Sequence, residues 1–388
     1  MHGTARIPHP TTTVREDDIS LFVALELSRS TWLLAMSAPH DDKISKYRVD
    51  AGDSAALLKL LSRLSAEAQR RCGRPVKTIA IHEAGLDGFW VHRLLEANGV
   101  ESHVVDAASI AVNRRHRRAK TDRIDTAMLR RGFLGWLRGE PGHCSMAIVP
   151  TLAEEDAKRP HRERESLVQE RTSTINRMKS ILIQFGVRDF NPVLRKAAQK
   201  LHAVQTPEGV PLPPNAASAL RRNVERLRLI NEQIKAIERS RVQHLKRDPT
   251  DKFNAMVFLL VRIIGLGVET AEQLVREILS RNLRNRKAVA RYAGLTGSPD
   301  ESGARRREKG LSRSGNGRVR SILIQLSWRL LQFQPDSELV LWFNKRTAGA
   351  KGSRKPMIVA LARKLIITLW RYVNTGMVPN GFKLRSAG

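Results

Sequence analysis

The order of strands and helices in the first third of the chain is the feature that most constrains the fold. Three apolar segments separated by turn residues predict a meander of antiparallel strands. A helix capped by Asp53 or Ser54 follows, and strands and helices then alternate. The predicted strands lie at 19–28, 31–38, 43–50, 76–84 and 101–107, and the predicted helices at 53–71, 88–99 and 123–137. The expected order is therefore β-β-β-α-β-α-β-α, typical of an α/β domain.

This order is the layout of the ribonuclease H-like fold. In that fold, acidic residues at the ends of the first and fourth strands and on the last helix gather at one place. The chain has Glu26, Glu83, Asp122 and Asp125 at these positions. Four such carboxylates form a site for hard divalent cations. Two cations about 3.5–4 Å apart can hold the attacking and leaving oxygens of a phosphodiester, which predicts phosphodiester chemistry here.

Each carboxylate also has a purely structural interpretation. Glu26 and Glu83 could be exposed strand-end residues, although both follow apolar runs in which an unpaired carboxylate is costly. Asp122 and Asp125 share one face of a helical turn and could pair with nearby arginines, since D-x-x-D is a common pattern. The strand order favours metal binding. We then expect the neighbouring basic residues to contact a nucleic-acid backbone, namely Arg114, Arg115, Arg117, Arg118 and Lys120.

The charge of the chain points to a polyanionic partner. Lys and Arg total 68 against 38 Asp and Glu, which gives a net charge of +30, and the isoelectric point is about 11.2. Nucleic acid is the simplest such partner because the basic residues cluster beside motifs. A basic protein that is merely soluble, or one that binds acidic membranes, is the alternative.

Cysteine content and hydropathy restrict the compartment. Cys72 and Cys144 are too few for a disulfide framework or a zinc site, which fits a reducing, cytosolic setting. No apolar run approaches the ~20 residues that a membrane span needs. The polar segment 1–18 lacks the apolar stretch of a signal peptide and is predicted to be a short disordered arm.

Two long amphipathic segments in the middle of the chain predict a helical hairpin. They lie at 162–186 and 215–248 and flank a Pro-rich turn at 204–216. Apolar residues in the second segment keep a spacing of three or four, which favours an antiparallel coiled-coil arm that serves as an oligomerisation surface. An ordinary helical connector inside one globule is the alternative. The many Arg and Lys residues indicate that the arm also contacts nucleic acid.

The segment 258–278 resembles a helix-hairpin-helix motif. An apolar helix, a G-L-G turn at Gly265 and Gly267, and a second helix capped by Glu269 or Thr270 are predicted. In such a motif the glycines let backbone N–H groups approach a phosphate at a helix N-terminus. The alternative is that the glycines serve packing between the helices.

A basic segment follows and ends in a helix. Residues 305–320 contain seven Lys or Arg and one Glu, interspersed with Gly and Ser. This pattern predicts a loop that binds phosphates and runs into a helix. A mostly apolar closing helix is predicted at 357–373. The expected phosphate ligands of the loop and helix are Arg305, Arg306, Arg307, Lys309, Arg313 and Arg318.

Taken together, these stretches resemble an insertion-sequence transposase of the DEDD type, a relative of the Piv and MooV DNA invertases. The resemblance covers about 19–380. It depends on the order of ALELSRSTW, IHEAGLDGFWVHRLLEANG, KTDRIDTAMLRR, IIGLGVETAEQLVREI, YAGLTGSPDESGARRREKGLSRSGNGRVRSIL and IVALARKLIITLWRYV.

The resemblance implies a domain organisation. A RuvC-like, ribonuclease H-fold domain is expected at 19–145. A linker with the coiled-coil hairpin is expected at 146–250, and a mainly helical C-terminal transposase domain at 251–388.

The resemblance also implies site residues and partners. The acidic tetrad falls on Glu26, Glu83, Asp122 and Asp125, with Mg²⁺ or Mn²⁺ as cofactor, and a catalytic serine falls on Ser302. The family usually has Asp where this chain has Glu26. Donor and target DNA, a guide (bridge) RNA and a homo-oligomer, dimer or tetramer, are the expected partners. The protein is expected in the bacterial cytoplasm, at the nucleoid when active, and not in a membrane.

The residues alone do not single out Ser302. Gly303 behind it permits close approach of a scissile phosphate, and the arginines that follow could stabilise developing negative charge. Ser298, Ser312 and Ser314 offer the same chemistry. We therefore expect a transposase or recombinase that works through a phosphoserine link. A RuvC-like metal-dependent nuclease and a non-catalytic nucleic-acid-binding protein are the alternatives.

Overall fold

The computed structural model of the chain describes residues 20–37, 44–106, 132–137, 140, 144–194, 196–302, 305–311, 315–348 and 354–386. Two compact units result, Met1–Thr151 (the N-terminal unit) and Leu152–Gly388 (the C-terminal unit). The predicted arm at 1–18 lies outside the described residues. The boundaries expected at 145/146 and 250/251 stay predictions.

The N-terminal unit contains a five-stranded mixed sheet. Its elements are β1 (Ser20–Leu27), β2 (Thr31–Ser37), β3 (Ile44–Asp50), α1 (Ser54–Cys72), β4 (Lys77–Glu83), α2 (Gly88–Ala97), β5 (Glu101–Val105) and α3 (132–137). The strand order is β3-β2-β1-β4-β5. β1, β2 and β3 pair antiparallel, as the predicted meander requires, whereas β4 runs parallel to β1 and β5. The predicted order of elements through β5 is confirmed.

Both faces of this sheet are covered, because successive side chains along a strand point to opposite sides. Val23 and Leu25 of β1 pack with buried residues of α1 and α2 on one face. Ala24 of β1 and Ile81 of β4 pack with Phe133 of α3 on the other face. The face that α3 covers is the one on which residues 22, 24 and 26 of β1 lie.

The C-terminal unit is mainly helical. Its elements are α4 (Leu152–Asp156), α5 (Arg159–Gln184), α6 (Ala197–Leu201), α7 (Pro214–Arg247), α8 (Lys252–Val261), α9 (Val268–Leu274), a π-helical turn (Val275–Leu279), α10 (Arg286–Tyr292), β6 (Gly297–Ser302), β7 (Arg305–Leu311), α11 (Gly317–Phe333), α12 (Glu338–Thr347) and α13 (Arg354–Thr375). Buried residues along α13, from Ile358 to Tyr372, lie in the main hydrophobic core, so the predicted closing helix is confirmed.

The predicted pair of long helices is present as α5 and α7. Met178 of α5 packs with Leu220 and Leu227 of α7. Arg164 near the start of α5 lies 2.7 Å from Glu238 near the end of α7, so the two helices run antiparallel. A coiled coil in the strict sense stays a prediction.

A clamp of buried hydrogen bonds completes the core around the turn between α8 and α9. Gln334 is fully buried; its Nε2 donates to Ile264 O (2.8 Å) and Lys383 O (2.9 Å), and its Oε1 accepts from Lys383 N (2.7 Å). Arg385 Nη1 donates to the carbonyl oxygens of Val261 and Leu266. The segment near residue 384 therefore closes over the turn.

Hydropathy places no membrane span in the described part of the chain. Every described helix is too short or too polar to cross a bilayer.

Candidate active site

Two of the four predicted carboxylates lie side by side at one edge of the N-terminal sheet. Leu25 of β1 and His82 of β4 are register partners in a parallel pair, and Glu26 and Glu83 are the next residues. Residues at equivalent positions of parallel neighbours point to the same face. Glu26 and Glu83 therefore share the face that α3 covers. Glu83 is exposed and Glu26 is half-buried, so a ligand from solvent can reach the edge.

The other predicted members of this site lie outside the described residues. These are Asp122, Asp125 and the basic residues Arg114, Arg115, Arg117, Arg118 and Lys120. The described part of the chain contains no group of three or more His, Cys, Asp or Glu that could hold a metal ion. Glu26 and Glu83 are carboxylates of the kind that Mg²⁺ prefers, and metal binding by them and by the rest of the set stays a prediction.

Asp106 is a third carboxylate at this edge, and its position in the sequence did not indicate that. It directly follows Val105, the register partner of Glu83, and it is exposed. Its backbone N donates to Ser145 O at 2.9 Å, which ties the end of β5 to the next described segment.

His82 lies immediately before Glu83 and is fully buried on the opposite face. Its Nε2 lies 3.3 Å from Ser102 Oγ. Burial lowers the pKa of His82 to about 4, so the ring is neutral near pH 7. The imidazole therefore adds no positive charge beside the carboxylates.

Gly88 packs against the backbone of Glu83, which the sequence did not indicate. A Cβ at position 88 would overlap Glu83 O. Glu83 O also accepts a hydrogen bond from Gly85 N at 2.8 Å. Gly88, the first residue of α2, is thus in tight contact with the backbone carbonyl group of Glu83.

We expect Gly88→Ala to displace Glu83. The methyl group must push α2 away or move the Glu83 carbonyl, which should lower the free energy of unfolding by about 1–3 kcal/mol and reduce strand cleavage. Gly85→Ala is the matched control, because a Cβ there meets nothing within 4 Å. Denaturant unfolding and a cleavage assay on both variants test this. Equal unfolding free energies for the two variants would show that the contact is not tight.

The predicted loop conformation is wrong over 305–311, because these residues form β7, which pairs antiparallel with β6, whereas the helix predicted to follow is present as α11. Opposite charges lie directly across the hairpin of β6 and β7, Asp300 opposite Arg307 and Glu301 opposite Arg306. Two of the arginines expected to bind phosphate therefore have an acidic residue opposite them.

Ser302 is the last residue of β6, and its register partner is Arg305, the first residue of β7. This is the last register pair of the two strands, so Ser302 lies at the tip of the hairpin. Ser298 lies near its base, opposite Lys309 and beside a bulge. Ser312, Ser314 and Arg313 lie outside the described residues. Of the two candidate serines that the structure describes, Ser302 lies opposite an arginine and Ser298 lies opposite a lysine.

Arg318, the last predicted phosphate ligand, lies in the first turn of α11. Its Nε is 3.6 Å from Glu165 Oε2, and its side chain is 47% exposed. The guanidinium therefore remains accessible to a second anion.

The space beside Gly265 in the turn between α8 and α9 is occupied by the side chain of Phe333. Gly265 has φ of 93°, and a Cβ there would lie 2.7 Å from Phe333 Cβ. Gly265 thus has a packing reason to be glycine. The predicted cap by Glu269 or Thr270 is wrong, because Gly267 is the N-cap of α9. Space around Gly267 is open.

Comparisons with known proteins give a consistent result. Residues 258–340 match the family described as Transposase IS116/IS110/IS902 family. The chain is 44% identical over 388 residues to "Putative transposase y4rJ" of Sinorhizobium fredii (strain NBRC 101917 / NGR234), with 98% of each chain covered. It is 28% identical over 222 residues to "Transposase for insertion sequence element IS1328" of Yersinia enterocolitica, with 56% of this chain and 63% of that one covered. The matched segment 258–340 contains the complete hairpin and the turn at Gly265.

Proposed function

The chain belongs to the IS116/IS110/IS902 family of transposases, and from this premise we propose that Ser302 is the nucleophile of its strand-cleavage reaction. As a DNA transposase, the protein is an enzyme that acts on DNA. The observation that carries the proposal is the place of Ser302 at the tip of a hairpin, opposite Arg305, inside the segment that matches the family.

The chemistry at Ser302 is a transesterification. Its Oγ forms a bond to the phosphorus of a DNA phosphodiester as the bond to one strand oxygen breaks, and that oxygen leaves as a hydroxyl. The phosphoserine link keeps the bond energy, so a hydroxyl on another strand can attack it and restore Ser302. In this proposal Arg305 would stabilise the negative charge that develops on the phosphoryl oxygens.

The carboxylate edge of the N-terminal unit would hold a divalent cation, Mg²⁺ or Mn²⁺. Glu26 and Glu83 at adjacent strand ends would supply two ligands, and Asp122 and Asp125 the others. When bound, such a cation supplies Lewis-acid stabilisation of phosphate oxygens. The strand order β3-β2-β1-β4-β5, with three antiparallel and then parallel strands, supports a RuvC-like, ribonuclease H-fold assignment for this unit.

The partners are donor and target DNA and, we propose, a guide RNA. The net charge of +30 supports a protein that covers a large length of nucleic-acid backbone. We further propose that the protein acts as a homo-oligomer, a dimer or a tetramer. The pair α5–α7 is the proposed oligomerisation surface.

The alternative is a metal-dependent nuclease in which water is the nucleophile. The pairing of Glu26 with Glu83 favours it, because that arrangement requires no serine. A covalent protein–DNA intermediate distinguishes the two mechanisms.

We expect the arginines of β7 to supply phosphate contacts. Changing Arg305, Arg306 and Arg307 together to Glu should weaken nucleic-acid binding and reduce the slope of log K against log salt by about 2–3. The control changes Arg70, Arg71 and Arg74 to Glu, which alters net charge equally at the end of α1. Binding titrations at several salt concentrations measure both slopes. If the two variants have identical slopes of log K against log salt, the arginines of β7 do not contact phosphates.

A further inference from the structure

Glu277 is a buried carboxylate that joins three elements of the C-terminal unit. It lies in the π-helical turn and is 3% exposed. Its Oε1 accepts hydrogen bonds from His161 Nε2 (3.1 Å) and Arg162 Nη2 (3.2 Å) of α5. Its Oε2 accepts from Asn316 Nδ2 (3.1 Å), at the start of α11. Short π-helical turns are frequent at functional sites, and none of the chemistry proposed above uses Glu277.

The ionised form of Glu277 is strongly favoured. Burial alone raises the pKa of the carboxyl group, but the hydrogen bond from His161 and the charge of Arg162 outweigh it and lower the pKa to about 2. An ionised carboxylate only accepts hydrogen bonds, so His161 must carry its proton on Nε2. The directions of all three contacts are therefore set by Glu277.

Asn316 has both ends of its side chain occupied. Its Oδ1 accepts from the backbone N of Arg318 (3.1 Å) and Val319 (3.3 Å), which caps α11. Its Nδ2 donates to Glu277. The contact with Glu277 therefore fixes the orientation of the cap that begins α11.

The base of the Ser302 hairpin lies at this cap. Asn316 N donates to Tyr292 O at 2.7 Å, so the segment that leaves the hairpin contacts the segment that leads into it. Gly315 has φ of 92°, and a Cβ there would lie 2.6 Å from Gly294 N. The segments before and after the hairpin are thus in close contact, and a side chain at position 315 would not fit between them.

Glu277 reaches both ends of the hairpin. One connection is the hydrogen bond from Asn316. The other runs through Arg281, whose Nε donates to Glu277 O (3.1 Å) and whose guanidinium lies 4.6 Å from the ring centre of Tyr292. A shift of residue 277 must therefore move the hairpin base.

Charged contacts also hold the other long helix to this region. Arg241 of α7 is buried between Glu269 and Glu272 of α9, with Nε 2.6 Å from Glu272 Oε2. Arg164 of α5 contacts Glu269 at 3.4 Å. Since buried charges have no water to replace a lost partner, such contacts favour one relative orientation of the elements over small deviations.

We propose that Glu277 is a positioning residue for strand cleavage, which holds the base of the Ser302 hairpin in one orientation relative to α5 and α7. The inference rests on the proposed role of Ser302. It adds to that role a residue that touches neither DNA nor cofactor.

Asn316→Asp tests this directly. Asp caps a helix as well as Asn does, but it places a second carboxylate against Glu277. We expect strand cleavage in the full-length protein to fall on the order of 10²-fold, since a small misplacement of a reacting group has that effect. Nucleic-acid affinity should stay at the wild-type value. Asn285→Asp is the matched control, because Asn285 caps α10 in the same way and is exposed.

The double variant Asn316→Asp with Glu277→Gln exchanges donor and acceptor. The amide of the new glutamine can donate to the new aspartate, so cleavage should recover most of the loss seen in Asn316→Asp. A general loss of stability would not be reversed by this pairing. Rates are compared below the unfolding transition of each variant.

Several outcomes would overturn the inference. The inference is wrong if Asn316→Asp cleaves DNA at the wild-type rate. It is also wrong if the double variant cleaves no faster than the slower of the two single variants. If Asn316→Asp does not fold, the double variant is compared with Glu277→Gln alone, and a double variant that cleaves no faster than Glu277→Gln overturns the inference. Ser302→Ala in the same assay separates the two proposals. The activity of Ser302→Ala tests whether Ser302 is the nucleophile, and the double variant at positions 277 and 316 tests whether Glu277 is a positioning residue.

Discussion

Ser302→Ala should abolish both recombination and the covalent protein–DNA adduct. Loss of a nucleophile reduces the rate of comparable enzymes by at least on the order of 10³-fold. Stability and nucleic-acid binding should change little, because a hydroxyl at a hairpin tip contributes little to folding. The measurement traps stalled reactions and identifies the residue joined to the DNA end by peptide mapping.

Ser298→Ala is the matched control for this experiment, since Ser298 lies on the same strand but near the base of the hairpin. Ser312→Ala and Ser314→Ala test the other two candidates. All three should keep activity. If Ser302→Ala still cleaves and rejoins DNA, the serine mechanism is wrong and the nuclease alternative takes its place, whereas the carboxylate edge is unaffected.

Glu83→Gln should abolish strand cleavage while nucleic-acid binding stays close to wild type. The change keeps the size of the side chain but removes the charge that a divalent cation requires, and we expect a loss of at least on the order of 10²-fold. Asp125→Asn should behave in the same way. Single-turnover cleavage with Mg²⁺ or Mn²⁺, together with a binding titration, separates the two effects.

Glu101→Gln is the control at the opposite end of the same sheet. Glu101 begins β5 and pairs with Lys77 at 2.6 Å, so its loss removes a carboxylate of the sheet without touching the edge. Cleavage by this variant should match wild type. Wild-type cleavage by both Glu83→Gln and Asp125→Asn would rule out the metal site.

The N-terminal sheet was predictable because each strand is marked by its own residues. β1 and β4 are continuous apolar runs that end in Glu26 and Glu83, and β2 and β3 are bounded by turn residues. Periodicity and turn chemistry operate over a few residues, which a single sequence shows directly. The proximity of Glu26 and Glu83 then followed from the strand order.

The hairpin and the positioning residues were not predictable for the opposite reason. β6 and β7 consist mostly of charged and small residues, so no alternation of apolar and polar side chains marks them. Gly88 matters only because of a contact with the Glu83 carbonyl. Glu277 looks like an ordinary helical glutamate in the sequence, and its partners His161 and Asn316 lie 116 and 39 residues away.

The clamp at residues 383–385 has a consequence for the timing of synthesis. Arg385 contacts carbonyl groups 119 and 124 residues earlier in the chain. At about 5–20 residues per second, a ribosome completes the turn between α8 and α9 roughly 10 s before the residues that close it exist. The residues of the Ser302 hairpin are synthesised within that interval, before the clamp can form. The C-terminal unit therefore completes its fold late, and a polypeptide released before residue 385 should lack the contacts that close the turn between α8 and α9.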